Sequence, residues 1–102
     1  MTRVIVLFNL KAGVDPAEYE AWARGTDAPT VNGLPSVAGF TVHRATGLLG
    51  GGASPYAYVE VLDVTDMDAL TADISAPPMT EIAAAFQSFA DDPKFIVTEE
   101  VA

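Results

Sequence analysis

Apolar and polar positions follow two different periods along this chain, and the changes of period divide it into elements. The segment RVIVLFNL (3–10) is almost continuously β-branched or large and apolar, which predicts a strand buried on both faces. Two further strands are predicted at 37–46 and 56–64, joined by the glycine-rich GLLGGGASP into a long hairpin. The closing segment KFIVTEEV (94–101) predicts a fourth strand.

The first helix is predicted from a strong start signal in DPAE. Asp15 is placed as the N-cap and Pro16 at the first helical position, while Glu18 can reach back to the cap in a capping box. We expect this helix to end near GTDAPTVNGLP, a loop rich in glycine and proline. Its apolar stripe is formed by residues three and four positions apart: Tyr19, Trp22, Ala23 and Thr26.

Two more helical patterns lie between the third and fourth strands. TDMDALTADI begins with a Thr65 or Asp66 cap, and MTEIAAAFQSFA follows the interruption APP. The resulting order, β-α-β-β-α-α-β, predicts an α+β domain over 1–102 with a ferredoxin-like, four-stranded antiparallel sheet and helices on one face. Because the strands are apolar on both faces, the bare face needs a partner, and a twofold homodimer that packs two sheets together is the simplest solution.

Composition narrows the possible partners. The 102 residues suffice for one core, and the formal net charge of −9 with only five scattered basic residues argues against binding to nucleic acid or to an anionic membrane surface. No apolar run approaches the roughly 20 residues of a membrane span, and no signal-peptide layout follows Met1. We therefore expect a cytoplasmic protein. The absence of cysteine excludes disulfides, thiolate metal ligands and a cysteine nucleophile.

The whole chain resembles a known family. The segments VIVLFNLKAGVDPAEYEAWARGTDAPTVNGLPSV, RATGLLG, PYAYVEVLDVTDMDAL and FADDPKFIVTEEV resemble the REDY-like HapK family, part of the dimeric α+β barrel superfamily and associated with prodigiosin- and bisindole-type pigment and alkaloid pathways. The resemblance implies a dimer with two outer helical layers. It also implies a pocket between sheet and helices for an aromatic intermediate, and activity without metal or organic cofactor. The family pattern has TTD where this chain has GTD, and Gly25 is expected to loosen the helix end before Asp27.

His43 and Arg44 are the first candidates for chemistry. His43 is the only histidine and could transfer protons at an imine or carbonyl carbon, although a strand histidine satisfied by a neighbour is the alternative. Arg44 could bind a carboxylate or pair with an acid such as Glu60. Strand alternation points these two side chains in opposite directions, so the face that holds the pocket decides between them.

Glu60 is the second candidate, because it lies in mid-strand on the face shared with Tyr56 and Tyr58. A carboxylate buried there needs a partner or has a raised pKa suited to acid-base work. For Tyr19, Trp22 and Phe86 the alternatives are stacking on an aromatic ligand and packing in the core. For Asp27 and Asn32 the alternatives are a polar pocket rim and the capping of a loop. Asn9, a polar residue near the end of the first strand, needs hydrogen-bond partners, of which a ligand could be one.

Three functional hypotheses remain open at this point. With a single histidine and no ligand motif, we expect no metal site, and GLLGGG lacks the order of a dinucleotide-binding loop, so no dinucleotide- or phosphate-binding loop is expected. The first hypothesis is a cofactor-independent enzyme that cyclises, tautomerises or decarboxylates an indole- or pyrrole-derived intermediate. The second is a non-catalytic protein that binds such an intermediate and delivers it to another biosynthetic enzyme. The third is a small monooxygenase.

Overall fold

A computed structural model describes residues 2–102 and contains one antiparallel sheet. Its strands are β1 (Thr2–Leu10), β2 (Val37–Arg44), β3 (Tyr58–Val64) and β4 (Ala90–Glu99). Their spatial order is β2-β3-β1-β4, which leaves β2 and β4 at the edges and is the ferredoxin-like order expected.

The helices lie on one face of this sheet. They are α1 (Pro16–Trp22), a π-helical turn (Ala23–Asp27), α2 (Ala28–Asn32), α3 (Met67–Ile74) and α4 (Met79–Phe89). Asp15 caps α1, as predicted, by accepting a hydrogen bond from the Ala17 amide at 3.0 Å. Within the described residues Glu18 makes no return hydrogen bond, so the capping box is not formed. Of the two proposed caps for α3, Asp66 is the one used.

The predicted loop after α1 is wrong. Residues 16–32 form one helical segment, because the π turn continues the helix from α1 into α2. A π turn holds more residues than an α turn, so it changes which side chains face the sheet. As a result Asp27 is buried and Thr26 is exposed, whereas the helical stripe in the sequence predicted Thr26 on the inner face.

The expectation that β1 is buried on both faces is also corrected. Val4, Val6 and Phe8 face the helices and are buried, whereas Ile5 and Leu7 on the opposite face are only half-buried. The reason is that all the helices lie on one side, so nothing within the described chain covers the other.

The last two strands begin at positions that differ from the prediction, and β2 and β4 each end two residues earlier than predicted. β3 begins at Tyr58 and not at Tyr56, since pairing with β1 and β2 starts there. β4 begins at Ala90 and includes the DDP segment that was expected to precede it. A register shift in the β1–β4 ladder and a left-handed backbone at Asp92 (φ 44°) accommodate this early part of the strand.

Candidate active-site cavity

A cavity of about 440 Å³ lies between the sheet and the helices. A volume of this size falls within the range of sites for small organic molecules. Fourteen of the described residues line it, and twelve of these are apolar, with Phe40, Phe86 and Phe95 as the aromatic members. Asp27 and Glu60 are the two polar members, so any polar chemistry inside the cavity belongs to two carboxyl groups.

Glu60 enters the cavity from the centre of the sheet. It pairs with Val6 on β1 and Val42 on β2, and the residue is only 5% exposed. Burial raises the pKa of its carboxyl group to about 8, with a further increase from the charge of Asp27. The Tyr19 hydroxyl donates a hydrogen bond to Oε2 at 3.3 Å, which opposes this increase but does not cancel it. Glu60 is therefore mainly protonated at neutral pH.

Asp27 enters from the opposite wall, at the end of the π turn. The residue is 4% exposed, and burial alone raises the pKa of its carboxyl group to about 6. Its carboxylate makes no hydrogen bond within residues 2–102. In these residues every fully enclosed side-chain oxygen or nitrogen has a hydrogen-bond partner. Since the Asp27 oxygens have none, they are not fully enclosed and must border open space. Because Asp27 lines the cavity, that open space is the cavity interior.

Tyr19 connects the first helix to this site. Its ring is fully buried and packs edge-on against Phe8, Tyr58 and Phe89, with centroid distances between 4.9 and 5.6 Å. The ring therefore belongs to the core, while its hydroxyl reaches Glu60. Burial, and then the charge of Glu60, raises the pKa of this phenol above its ordinary value, so Tyr19 acts here as a hydrogen-bond donor.

Arg44 does not pair with Glu60 as suggested. It forms two hydrogen bonds to Glu20 on α1, at 2.6 and 2.8 Å, and Tyr58 donates a third to the same carboxylate at 2.7 Å. These donors, with Arg44 first, lower the pKa of Glu20 to about 2. Glu20 was missed in the sequence, because neighbours 24 and 38 positions away supply its partners. Its contacts fasten α1 to the β2–β3 edge, outside the cavity.

His43 and Arg44 point to opposite faces of the sheet, as strand alternation predicted, and His43 lies on the face away from the cavity. It is exposed, and its Nε2 is 2.9 Å from the Thr41 hydroxyl oxygen. The cavity therefore contains Glu60 and Asp27 but not His43. Trp22 is half-buried against Phe89 at 5.4 Å, also outside the cavity lining.

The two asparagines make structural hydrogen bonds. Asn9 donates to the Pro55 carbonyl at 3.1 Å and accepts from the Ala57 amide at 2.9 Å, which joins the end of β1 to the chain before β3. Asn32 lies in α2, not in a loop, and exchanges two hydrogen bonds with the backbone of Phe40. Neither residue lines the cavity, nor does Tyr56 or Tyr58. Among the expected ligand-binding residues, Phe86 does.

The sequence did not single out most of the cavity wall. Leu70, Ile74, Met79 and Ile82 were predicted only as helical stripes, and Phe95 only as part of a strand. Helical spacing shows which face of a helix is apolar, but not whether that face packs tightly or borders a cavity. In the described part of the chain, no three acidic or histidine side chains are grouped so as to hold a metal ion, and no helix is long and apolar enough to span a bilayer.

Comparison with known proteins gives a consistent picture. The family model for REDY-like protein HapK matches residues 2–101. The crystal structure of HapK from Hahella chejuensis is 31% identical, covers 99% of this chain and 93% of that one, and superposes with a TM-score of 0.82. No curated protein matches the chain in sequence.

Two more distant structures share the fold. SnoaB, a cofactor-independent oxygenase from Streptomyces nogalater, is 20% identical over 99% of this chain and 93% of its own, with a TM-score of 0.77. A dimeric ferredoxin-like protein of unknown function from Thermobifida fusca is 20% identical over 95% of this chain and 88% of its own, with a TM-score of 0.74. At these identities the likeness concerns the fold alone.

Proposed function

This chain belongs to the REDY-like HapK family, and on that premise we propose that it is a cofactor-independent enzyme of bacterial pigment or alkaloid biosynthesis. It acts by proton transfer on an aromatic, indole- or pyrrole-derived molecule held in the cavity. One observation carries the proposal: two buried carboxyl groups, Asp27 and Glu60, are the only polar side chains that line the otherwise apolar cavity within residues 2–102.

The two carboxyl groups suit complementary roles. Near pH 7 Asp27 is mainly ionised and can accept a proton, whereas Glu60 is mainly protonated and can donate one. Asp27 removes a proton from a carbon next to an imine or carbonyl group, and the electron pair of that C–H bond forms the new double bond. Glu60 delivers its proton to another atom of the same molecule. The product is a tautomer, and one proton returned from Asp27 to Glu60 restores the enzyme.

The apolar wall contributes by excluding water. A reactive imine hydrolyses in water, and the phenylalanine and aliphatic side chains shield it while the proton moves. The low polarity also strengthens the interaction of each carboxyl group with charge that develops on the substrate.

The proposal includes a homodimer. The uncovered face of the sheet carries a central apolar patch on β1, β3 and the edge strand β4. It is formed by Ile5, Leu7, Val59, Val61 and Ile96. A patch of this kind on a sheet favours a partner of the same shape, and related structures are described as dimeric. Packing two such faces together would leave the cavity of each subunit on the helix side.

Hydrogen–deuterium exchange provides the test. Indolyl and pyrrolyl ketimines with an exchangeable C–H beside the imine are incubated with the protein in D₂O and followed by NMR. We expect exchange to be accelerated by the wild type and reduced roughly 10²-fold or more by Asp27→Asn and by Glu60→Gln. Asp68→Asn, which changes an exposed acid of α3, serves as the matched control and should retain the wild-type rate.

The same experiment distinguishes the other hypotheses. Saturable binding of the ketimines without any exchange or product supports the delivery protein and contradicts the enzyme. Consumption of O₂ with formation of an oxygenated product supports the monooxygenase. Acceleration that survives both cavity substitutions but is lost in His43→Ala would move the chemistry to the outer face of the sheet.

A further inference from the structure

The cavity combines buried acids with the absence of a cation. No lysine, arginine or histidine is among its lining residues in the described chain. Four of the five basic residues are paired with acids elsewhere: Arg3 with Asp63, Arg24 and Arg44 with Glu20, and Lys94 with Asp92. The protein therefore offers the Asp27 carboxylate no positive partner within the described residues.

This arrangement is costly for the protein alone. A buried carboxylate is normally paired or hydrogen-bonded, because an isolated charge in an apolar environment is strongly disfavoured. Asp27 is 4% exposed, has no hydrogen-bond partner in residues 2–102, and faces the cavity. A positively charged group on a molecule that enters the cavity would supply the partner that the described residues do not.

We infer that the ligand of this cavity is an aromatic cation, in which a protonated amine or an iminium nitrogen pairs with Asp27. Folding has already removed most of the Asp27 side chain from bulk water, so binding gains the attraction while the main desolvation cost falls on the ligand's charge. Glu60, which is mainly protonated near pH 7, offers the ligand a second hydrogen-bonding group. The three phenylalanines and the aliphatic side chains match the ring system of such a ligand.

The inference rests on the proposed function for the location of the site, and it defines the substrate class more narrowly. An iminium ion is also the form in which a neighbouring C–H bond is most acidic. Loss of that proton to Asp27 gives a neutral enamine. Where this enamine is conjugated with a further double bond, Glu60 protonates the far carbon of the conjugated system to give a rearranged iminium ion, and the proton held by Asp27 then returns to Glu60. Charge and atoms balance in these steps without an external reactant.

Three probes of equal ring size test the inference: 1-naphthylmethylammonium, 1-naphthalenemethanol and 1-naphthoate, which carry positive, zero and negative charge. Binding is measured by the fluorescence of Trp22, the only tryptophan, and by calorimetry at pH 7.5 and 150 mM salt, where attraction to the chain's overall charge is screened. We expect the ammonium to bind about tenfold or more tightly than the alcohol, and the carboxylate to bind most weakly.

Asp27→Asn should abolish this preference, so that the ammonium and the alcohol bind within about threefold of each other, while affinity for the alcohol is unchanged. Asp68→Asn is the matched control and should retain the preference. Equal binding of the three probes, stronger binding of naphthoate, no binding of any probe, or a cation preference that survives Asp27→Asn would each overturn the inference.

Failure of the inference and failure of the proposed function give different results. Loss of cation preference with continued ketimine exchange refutes the cationic ligand but retains the enzyme. Retained preference without exchange gives a cation-binding delivery protein. Far-UV circular dichroism and urea unfolding verify that Asp27→Asn is folded, and we expect it to be, because a neutral amide is easier to bury than a carboxylate.

Discussion

Replacing Glu60 by glutamine should change how the stability of this protein depends on pH. Burial raises the pKa of Glu60 from 4.5 in the unfolded chain to about 8 in the folded one. Between these two values the folded state holds a proton that the unfolded state has released, so the free energy of unfolding falls as the pH rises through this range. Glutamine resembles the protonated acid in size but cannot ionise, and it therefore removes this dependence.

The magnitude follows from the same two pKa values. One pKa unit corresponds to about 1.4 kcal/mol, so ionisation of Glu60 in the unfolded chain lowers the free energy of unfolding by about 1 kcal/mol at pH 5. The reduction reaches about 3 kcal/mol at pH 7 and about 5 kcal/mol at pH 9. We expect the free energy of unfolding of Glu60→Gln minus that of the wild type to increase by about 4 kcal/mol between pH 5 and pH 9.

Urea unfolding monitored by the fluorescence of Trp22 at pH 5, 7 and 9 measures this difference. The protein concentration is kept constant, because the stability of a dimer depends on it. Asp27 is present in both proteins, so its own titration largely cancels from the difference. The exposed Glu18→Gln should change stability by less than about 1 kcal/mol, with little dependence on pH. Parallel curves for Glu60→Gln and the wild type would refute the reasoning, since they would show that Glu60 titrates alike in the folded and unfolded chains.

Further predictions concern the site, the dimer and the fold. The value of kcat/KM should rise with pH through about 6, as Asp27 ionises, and fall through about 8, as Glu60 loses its proton; a profile without these limbs would contradict the assigned roles. Tyr19→Phe removes a hydrogen bond that lowers the Glu60 pKa, so the alkaline limb should move to higher pH, whereas an unmoved limb would remove Tyr19 from the site. Val61→Lys places a charge on the uncovered sheet face and should give a monomer in analytical ultracentrifugation, provided that the wild type sediments as a dimer. Asp66→Ala removes the cap of α3 and should lower the free energy of unfolding by about 1 kcal/mol at a neutral pH; an unchanged value would indicate that the two capping hydrogen bonds contribute little.

Local patterns in the sequence were sufficient to predict the sheet, three of its strands closely, and the starts of α1, α3 and α4. Continuous apolar residues predicted β1, and the Asp15-Pro16 pair predicted the start of α1, because both signals act within a few residues. Strand alternation correctly separated His43 from Arg44 and placed Glu60 on the same face of β3 as Tyr58. These features depend on backbone periodicity and on signals within a few neighbouring residues, and both can be recognised in the sequence.

The composition of the site was decided by the tertiary structure. A π turn after α1 places Asp27 in the cavity, whereas the sequence predicted a polar loop there, since glycine, threonine and proline weaken a helix without revealing whether it continues. The Arg44–Glu20 pairing joins residues 24 positions apart and could not be distinguished in advance from pairing with Glu60. The absence of a cation beside two buried acids depends on where all five basic residues lie, and that is fixed only when the helices close over the sheet.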